Sequence, residues 1–240
     1  MFIIENYFIA VIFCFITMIC WGSWANTQKL ASQKWPFQLY YWDYALGILL
    51  ITLIFGFTLG STGDIGRSFV VDLKQAKSNY INLAFLGGVI FNFANLLLVI
   101  AIEVSGMAIA FPIGIGIALV LGVFTNYLDQ PEGDPLFLIL GVGFVTLAII
   151  IDGLIYKKTL QKSDQNPLKG IILSILAGIS MGFFYKYVAG SMTSDFVSPE
   201  SGKLTPYSAL VIFSLGILLS SFLFIPCQGK GMDSFLGLSK

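Results

Sequence analysis

The sequence predicts an all-α polytopic membrane protein, because its composition is strongly apolar and its apolar runs are long. Of its 240 residues 57% are hydrophobic and 11% are charged, whereas about 25% are charged in soluble domains. The mean hydropathy is +0.87. Because about 20 apolar residues form one bilayer crossing, seven crossings would use about 140 positions, close to the apolar share of the chain. A water-soluble fold is therefore excluded.

The composition also excludes several classes of function. The formal net charge is zero, and a nucleic-acid binder needs clustered Lys and Arg to neutralise phosphates. Histidine, the commonest general base and metal ligand, does not occur in the sequence. The three cysteines form no CxxC pair, and no GxxxxGK[ST], HExxH or GxSxG motif is present. We therefore expect no nucleic-acid partner, no cofactor, no metal and no enzymatic activity.

Seven apolar runs are too long to be core helices of a soluble protein. They lie at residues 7–25, 37–59, 81–103, 105–127, 135–156, 169–188 and 206–226. Short connections with turn-forming residues separate them, at 34–36, 60–64, 130–134 and 163–167. No basic region precedes the first run and no cleavage site follows it, which indicates a retained helix and not a signal peptide. Eight basic residues on one side against five on the other place the N-terminus outside the cytoplasm.

The first run ends in a polar and aromatic segment. Trp21 and Trp24 are three residues apart and share one helix face, and Asn26 follows them. Indole faces are flat and apolar and carry one donor each, so planar rings stack well on them. We predict that Trp21, Trp24 and Asn26 line a solute site. The alternative is an aromatic anchor at the membrane interface.

The second run contains Asp43 about six residues, or roughly 9 Å, from its start. Inserting a central Asp costs about 2.5 to 3.5 kcal/mol, a penalty that favours the protonated form. We predict that Asp43 exchanges the coupled proton and that Trp42 enters the solute site beside it. The alternative is an interfacial carboxylate that stabilises the start of the helix through its dipole.

The third and fourth runs are separated only by residues 103–106, which predicts a tight antiparallel hairpin. Asn92 and Asn95 lie mid-span in the third run, on one face. Because amides need partners in lipid, both should face the bundle or a polar cavity. We predict that they line the solute site, and hydrogen bonding between helices is the alternative. In the fourth run Pro112 predicts an irregular helix.

In the fifth and sixth runs the notable residues are one acid, one base and a pair of glycines. Asp152 and Lys186 could each reach the interface, or they could pair with each other. Gly178 and Gly182 have the small-xxx-small spacing that is typical of close helix packing.

The chain also repeats itself. Residues 46–50, Leu-Gly-Ile-Leu-Leu, return at 215–219, and residues 18–24 have a counterpart at 178–184. The repeat unit is then five helices, and an odd number forces the second unit to insert upside down, as in secondary transporters. We predict a first five-helix repeat at residues 1–160. Residues 161–240 would be the first two helices of a second, inverted and truncated repeat.

Four motifs together resemble the ureide permease family of the drug/metabolite transporter superfamily, near the glucose/ribose porters. They are Trp21–Thr27, Tyr41–Tyr44, Asn92–Asn95 and Thr125–Asp129. The resemblance covers about residues 7–225. It implies ten helices in two inverted five-helix repeats and proton-driven import of small polar solutes such as allantoin, other ureides, nucleobases or monosaccharides. The chain departs from this pattern because it ends after the seventh helix and lacks the nucleotide-binding-like motif that plant members carry between helices five and six.

The combined prediction is a multi-pass permease of the cell membrane that imports a small neutral polar metabolite with protons. Its partners would be the solute, protons, the lipid bilayer and, as a homo-oligomer, further copies of the chain. The alternative is a non-transporting accessory or truncated membrane fragment that packs with another chain, and a membrane-embedded enzyme is a third interpretation. The predicted solute-binding residues are Trp21, Trp24, Asn26, Trp42, Asn92 and Asn95, with Asp43 for the proton.

Overall fold

The computed structural model describes residues 1–4, 6–31, 35, 37–129, 131, 133–159 and 167–227. Within this part of the chain the fold consists of α-helices and one isolated backbone bridge. The helices are α1 Tyr7–Ala31, α2 Phe37–Phe57, α3 Phe69–Gln75, α4 Ser78–Ser105, α5 Met107–Asp129, α6 Pro135–Thr159, α7 Pro167–Ser191 and α8 Pro206–Cys227. The predicted all-α class is confirmed.

Six of the helices, counted over the described residues, are long and apolar enough to cross a bilayer: α1, α2, α4, α5, α7 and α8. The apolar part of α6 within the described residues, Pro135–Ile151, is shorter than these six spans. A seventh crossing therefore stays a prediction. The short helix α3 lies between apolar runs and was not predicted. Residues 34, 36, 130, 132 and 163–166 of the predicted turns and the predicted repeat boundary at 160/161 lie outside the described residues.

The chain divides into two compact units, Met1–Phe85 with Ser191–Lys240 (unit 1) and Leu86–Gly190 (unit 2). In unit 1, α2 packs against α8. The rings of Trp42 and Phe222 are 4.4 Å apart, and the hydroxyls of Thr52 and Ser214 are hydrogen-bonded at 3.0 Å. Because the start of α2 meets the end of α8, the two helices run antiparallel.

A short connection before α8 closes one end of unit 1. The amide of Thr193 donates to the Leu204 carbonyl at 2.9 Å, and the amide of Leu204 donates to the Ser191 carbonyl at 3.0 Å. Leu204 is fully buried in a small apolar cluster with Ala84 and Ala209. Thr205 then precedes Pro206, whose fixed φ suits the first position of a helix.

In unit 2 a single residue joins α4 to α5. Gly106 has φ +85°, a conformation that favours glycine. Leu98 of α4 lies against Gly114 of α5, so the two helices run antiparallel from this turn. The predicted hairpin is confirmed. The helix α5 continues through Pro112 without an interruption.

A stripe of small residues on α7 packs against α5. A Cβ added at Gly178 would lie 2.6 Å from the carbonyl oxygen of Gly114, and one at Gly182 would lie 2.7 Å from the Cβ of Leu121. These contacts are possible only because both positions lack a side chain, as in other small-xxx-small helix pairs. The packing role predicted for these two glycines is confirmed.

Candidate functional site

The end of α1 meets the start of α2 through aromatic rings. The ring of Trp24 is 6.1 Å from that of Tyr44, at 52° between the planes. The ring of Tyr44 is in turn 5.4 Å from that of Tyr41, which is fully buried. The sequence predicts that these two segments converge, and in the structure Tyr44 is the residue of α2 that contacts Trp24.

Trp42 contacts a different helix. Its ring meets Phe222 of α8 edge-on at 4.4 Å. Residues two apart on a helix point about 200° away from each other, so Trp42 and Tyr44 leave α2 in opposite directions. The described ring contact of Trp42 therefore contributes to the α2–α8 packing of unit 1, and its place in a solute site stays a prediction.

Trp21 and Asn26 lie on the open surface of α1. Trp21 is 43% exposed, and Asn26 is exposed as well. The neighbouring hydroxyls of Ser23 and Thr27 donate to carbonyls of their own helix, at 2.8 Å to Ile19 and 3.3 Å to Ser23. The polar end of α1 thus satisfies its hydroxyls internally and presents an indole and an amide outward.

Asp43 is exposed on α2. Because acyl chains offer a carboxylate no partner, an exposed Asp on a membrane helix must contact water. Contact with water fits both predictions for this residue, a proton-exchanging group on an aqueous path and a carboxylate at the interface.

Asn92 and Asn95 are buried in unit 2, with 0% and 3% of their surface exposed. Phe91 beside them meets Phe184 of α7 edge-on at 5.1 Å. The prediction that both amides face the protein interior is confirmed. Burial fits either of their predicted roles, lining a site or joining helices.

A cleft of about 610 Å³ in unit 2 was not predicted as a site. Its polar lining includes Asn126, Tyr127 and Tyr185, and its volume lies in the range of small-molecule pockets. At its edge Lys186 Nζ lies 3.0 Å from an oxygen of Asp129. Asp129, and not Asp152, is thus the described partner of Lys186; the side chain of Asp152 lies outside the described residues. The sequence signal that could have indicated this cleft is the motif Thr125–Asp129, which ends the fourth run.

A buried carboxylate in unit 1 was also missed. Asp72 of α3 is fully buried. One of its oxygens accepts from Arg67 Nε at 2.8 Å and Gln75 Nε2 at 3.2 Å. The other accepts from the amide and the hydroxyl of Thr205, at 2.7 and 2.9 Å. We call Arg67, Asp72, Gln75 and Thr205 the Asp72 latch.

The Asp72 latch fixes α3 to the start of α8. Arg67 Nη2 also donates to the carbonyls of Glu200 and Lys203, at 3.0 and 3.2 Å. Charge-assisted bonds of this kind are about twice as strong as neutral ones. Each donor that faces the buried carboxylate belongs to the loop end of unit 1, so we assign the latch a structural role.

No group of three or more metal-ligating side chains occurs among the described residues. Six membrane-length helices and an amide pair buried at mid-span define an integral, multi-pass membrane protein. A profile of the family described as Ureide permease matches residues 40–163. The chain belongs to the ureide permease family.

Three curated proteins of Arabidopsis thaliana are similar to this chain. Ureide permease 1 is 26% identical over 159 residues, 65% of this chain and 41% of that protein. Ureide permease 2 is 25% identical over 174 residues, 70% of this chain and 43% of that protein. Ureide permease 3 is 26% identical over 172 residues, 71% of this chain and 50% of that protein.

The chain therefore spans two fifths to one half of the length of these curated relatives. No solved structure matches it. Membership of the ureide permease family and the six membrane-length helices among the described residues confirm the predicted multi-pass membrane location.

Proposed function

We propose that this chain acts in a secondary active permease that imports a small neutral ureide, with allantoin as the first solute to test. Membership of the ureide permease family carries the proposal. The matched residues 40–163 include three of the four motifs, those at 41–44, 92–95 and 125–129. The relatives are themselves named ureide permeases.

The predicted solute-binding residues suit the chemistry of a ureide. Such a molecule is flat, uncharged and rich in carbonyl and N–H groups. Side-chain amides present a donor and an acceptor together, and indoles offer a face for stacking. We retain Trp21, Trp24, Asn26, Trp42, Asn92 and Asn95 as the proposed solute-binding residues.

Asp43 is the proposed proton-coupling group. Its exposure on α2 supports access to water, which a proton carrier requires. Asp43→Asn keeps the shape but removes the exchangeable proton. We expect the variant to lose uphill, pH-driven accumulation and to keep solute exchange between equal pools. A variant that still concentrates solute along a proton gradient would leave Asp43 as an interfacial residue.

We also propose that α2 and α8 are counterparts in two inverted repeats. The shared pentapeptides, 46–50 and 215–219, lie midway along antiparallel helices that pack together. Thr52 bonds Ser214. The shift that relates residues 46–50 to 215–219 also relates Thr52 to Ser221 and Ala45 to Ser214. Ala45 and Ser221 are therefore the symmetry-related pair. Both are fully buried. Cysteines at positions 45 and 221 should cross-link readily, and no cross-link would argue against this symmetry.

Uptake by intact cells tests the transport proposal. Cells that express the chain should accumulate labelled allantoin above cells that express an empty vector, and unlabelled ureides should compete. Asn92→Leu should reduce uptake more than it reduces the amount of folded protein in the membrane. Absence of uptake by a correctly inserted chain would favour the accessory-fragment alternative.

A further inference from the structure

The one buried side chain of α1, among those that the structure describes, is a glutamine. None of residues 7–24 is buried, although most are apolar. Gln28 is 8% exposed. The apolar surface of a membrane helix can face acyl chains, so the exposed residues of α1 are ordinary, and the buried amide is the feature that requires an explanation.

Gln28 also lacks a partner for its side-chain oxygen. Among the described residues, the buried side-chain polar atoms with no hydrogen-bond partner are Gln28 Oε1 and Trp24 Nε1. A buried donor or acceptor without a partner destabilises the fold, because it has lost its hydrogen bonds to water and gained none. Buried polar groups nearly always find partners, so two unpaired atoms on one helix require an explanation.

The two residues share a helix face, and their unpaired atoms have complementary chemistry. Residues four apart lie one above the other on the same helix face, so the Trp24 and Gln28 side chains share a face of α1. Trp24 Nε1 can only donate, and Gln28 Oε1 can only accept. The ring of Tyr44, 6.1 Å from that of Trp24, provides an aromatic wall at the same place.

We propose that Trp24 and Gln28 together recognise one amide edge of the solute, with Trp24 Nε1 donating to a solute carbonyl and Gln28 Oε1 accepting from the adjacent solute N–H. A ureide ring carries these two groups side by side. The inference rests on the proposed function, and it adds Gln28 as a specificity-determining residue that the sequence analysis did not select.

The test measures discrimination between solutes by cells that express the full chain. Labelled allantoin uptake is inhibited with hydantoin or with each of its two mono-N-methylated derivatives, which lack one N–H. For the wild type we expect at least one derivative to inhibit about tenfold more weakly than hydantoin, since its methyl group replaces the N–H that donates to Gln28 Oε1. Gln28→Met keeps the length of the side chain without the acceptor, and it should reduce this ratio to about one.

Two further variants separate recognition from folding. Trp24→Phe keeps an aromatic ring without the donor and should weaken hydantoin and its derivatives equally. Thr17→Val is the matched control on α1, because the Thr17 hydroxyl is exposed and donates to its own helix at Phe13. It should leave both affinity and the ratio unchanged.

The outcomes distinguish this inference from the proposed function. If the wild type takes up allantoin and Gln28→Met retains the wild-type ratio, the inference is wrong and the permease stands. If the correctly inserted wild type shows no allantoin uptake, the proposed function fails and the inference fails with it. If Gln28→Met lowers the amount of inserted protein while the remaining protein keeps the ratio, Gln28 is a packing residue.

Discussion

Unit 1 contains a buried carboxylate that accepts four hydrogen bonds, whereas the helices of unit 2 approach one another through glycines. The first arrangement depends on charge and on donors from a distant loop. The second depends on the absence of side chains and on van der Waals contact. Because the two units rely on different forces, loss of a charged group should destabilise unit 1 and added volume should destabilise unit 2.

The largest effect should follow loss of the Asp72 carboxylate. Asp72→Ala removes the counter-charge of Arg67 and leaves Arg67 Nε and the buried Thr205 amide without their acceptor. Removal of one partner from a buried ion pair costs about 3 to 5 kcal/mol. We expect this loss in the free energy of unfolding of the purified chain in detergent. Glu200→Gln, at an exposed pair with Lys203, is the control, and equal loss in the two variants would contradict the role of the latch.

A smaller, purely steric effect is expected in unit 2. Gly178→Ala places a Cβ 2.6 Å from a backbone oxygen of Gly114, and overpacking of this kind costs about 1 to 3 kcal/mol. Gly141→Ala in α6 is the matched control, because a Cβ there meets nothing within 4 Å. The same unfolding measurement applies. A Gly178 variant as stable as the Gly141 variant would show that α5 and α7 do not need this close approach.

The sequence predicts well those features of the fold that apolar runs and turn residues encode locally. The long helices, the Gly106 turn and the burial of Asn92 and Asn95 follow from these patterns. The Asp72 latch does not, because Asp72 and Thr205 are 133 residues apart and the segments around them show no apolar periodicity. Gln28 was missed for a different reason, since its burial depends on the packing of α1, which no pattern within α1 encodes.

The hydrogen bond between α2 and α8 allows a finer comparison within unit 1. Thr52 and Ser214 share one bond at 3.0 Å, and bonds between membrane helices average about 0.6 kcal/mol in double-mutant cycles. A cycle of Thr52→Val and Ser214→Ala should return a coupling of this size. A coupling free energy near zero would show that apolar packing alone holds α2 against α8.

The smallest effect should come from the exposed ion pair of unit 2. Asp129 and Lys186 lie 3.0 Å apart, but their side chains are 45% and 47% exposed. Exposed pairs are worth about 0 to 1 kcal/mol, so Asp129→Asn should change the free energy of unfolding by less than about 0.5 kcal/mol. A loss as large as that of Asp72→Ala would remove the contrast between the buried and the exposed pair.

Solute counterflow tests the central claim most directly. The purified 240-residue chain is reconstituted into liposomes loaded with unlabelled allantoin and diluted into a trace of labelled allantoin, with no proton gradient. A ureide permease should produce a transient accumulation of label that the ionophore-treated control also shows, since exchange needs only binding and alternating access. A folded, correctly inserted chain that gives no counterflow with allantoin or hydantoin would contradict the account and identify the chain as a non-transporting membrane fragment.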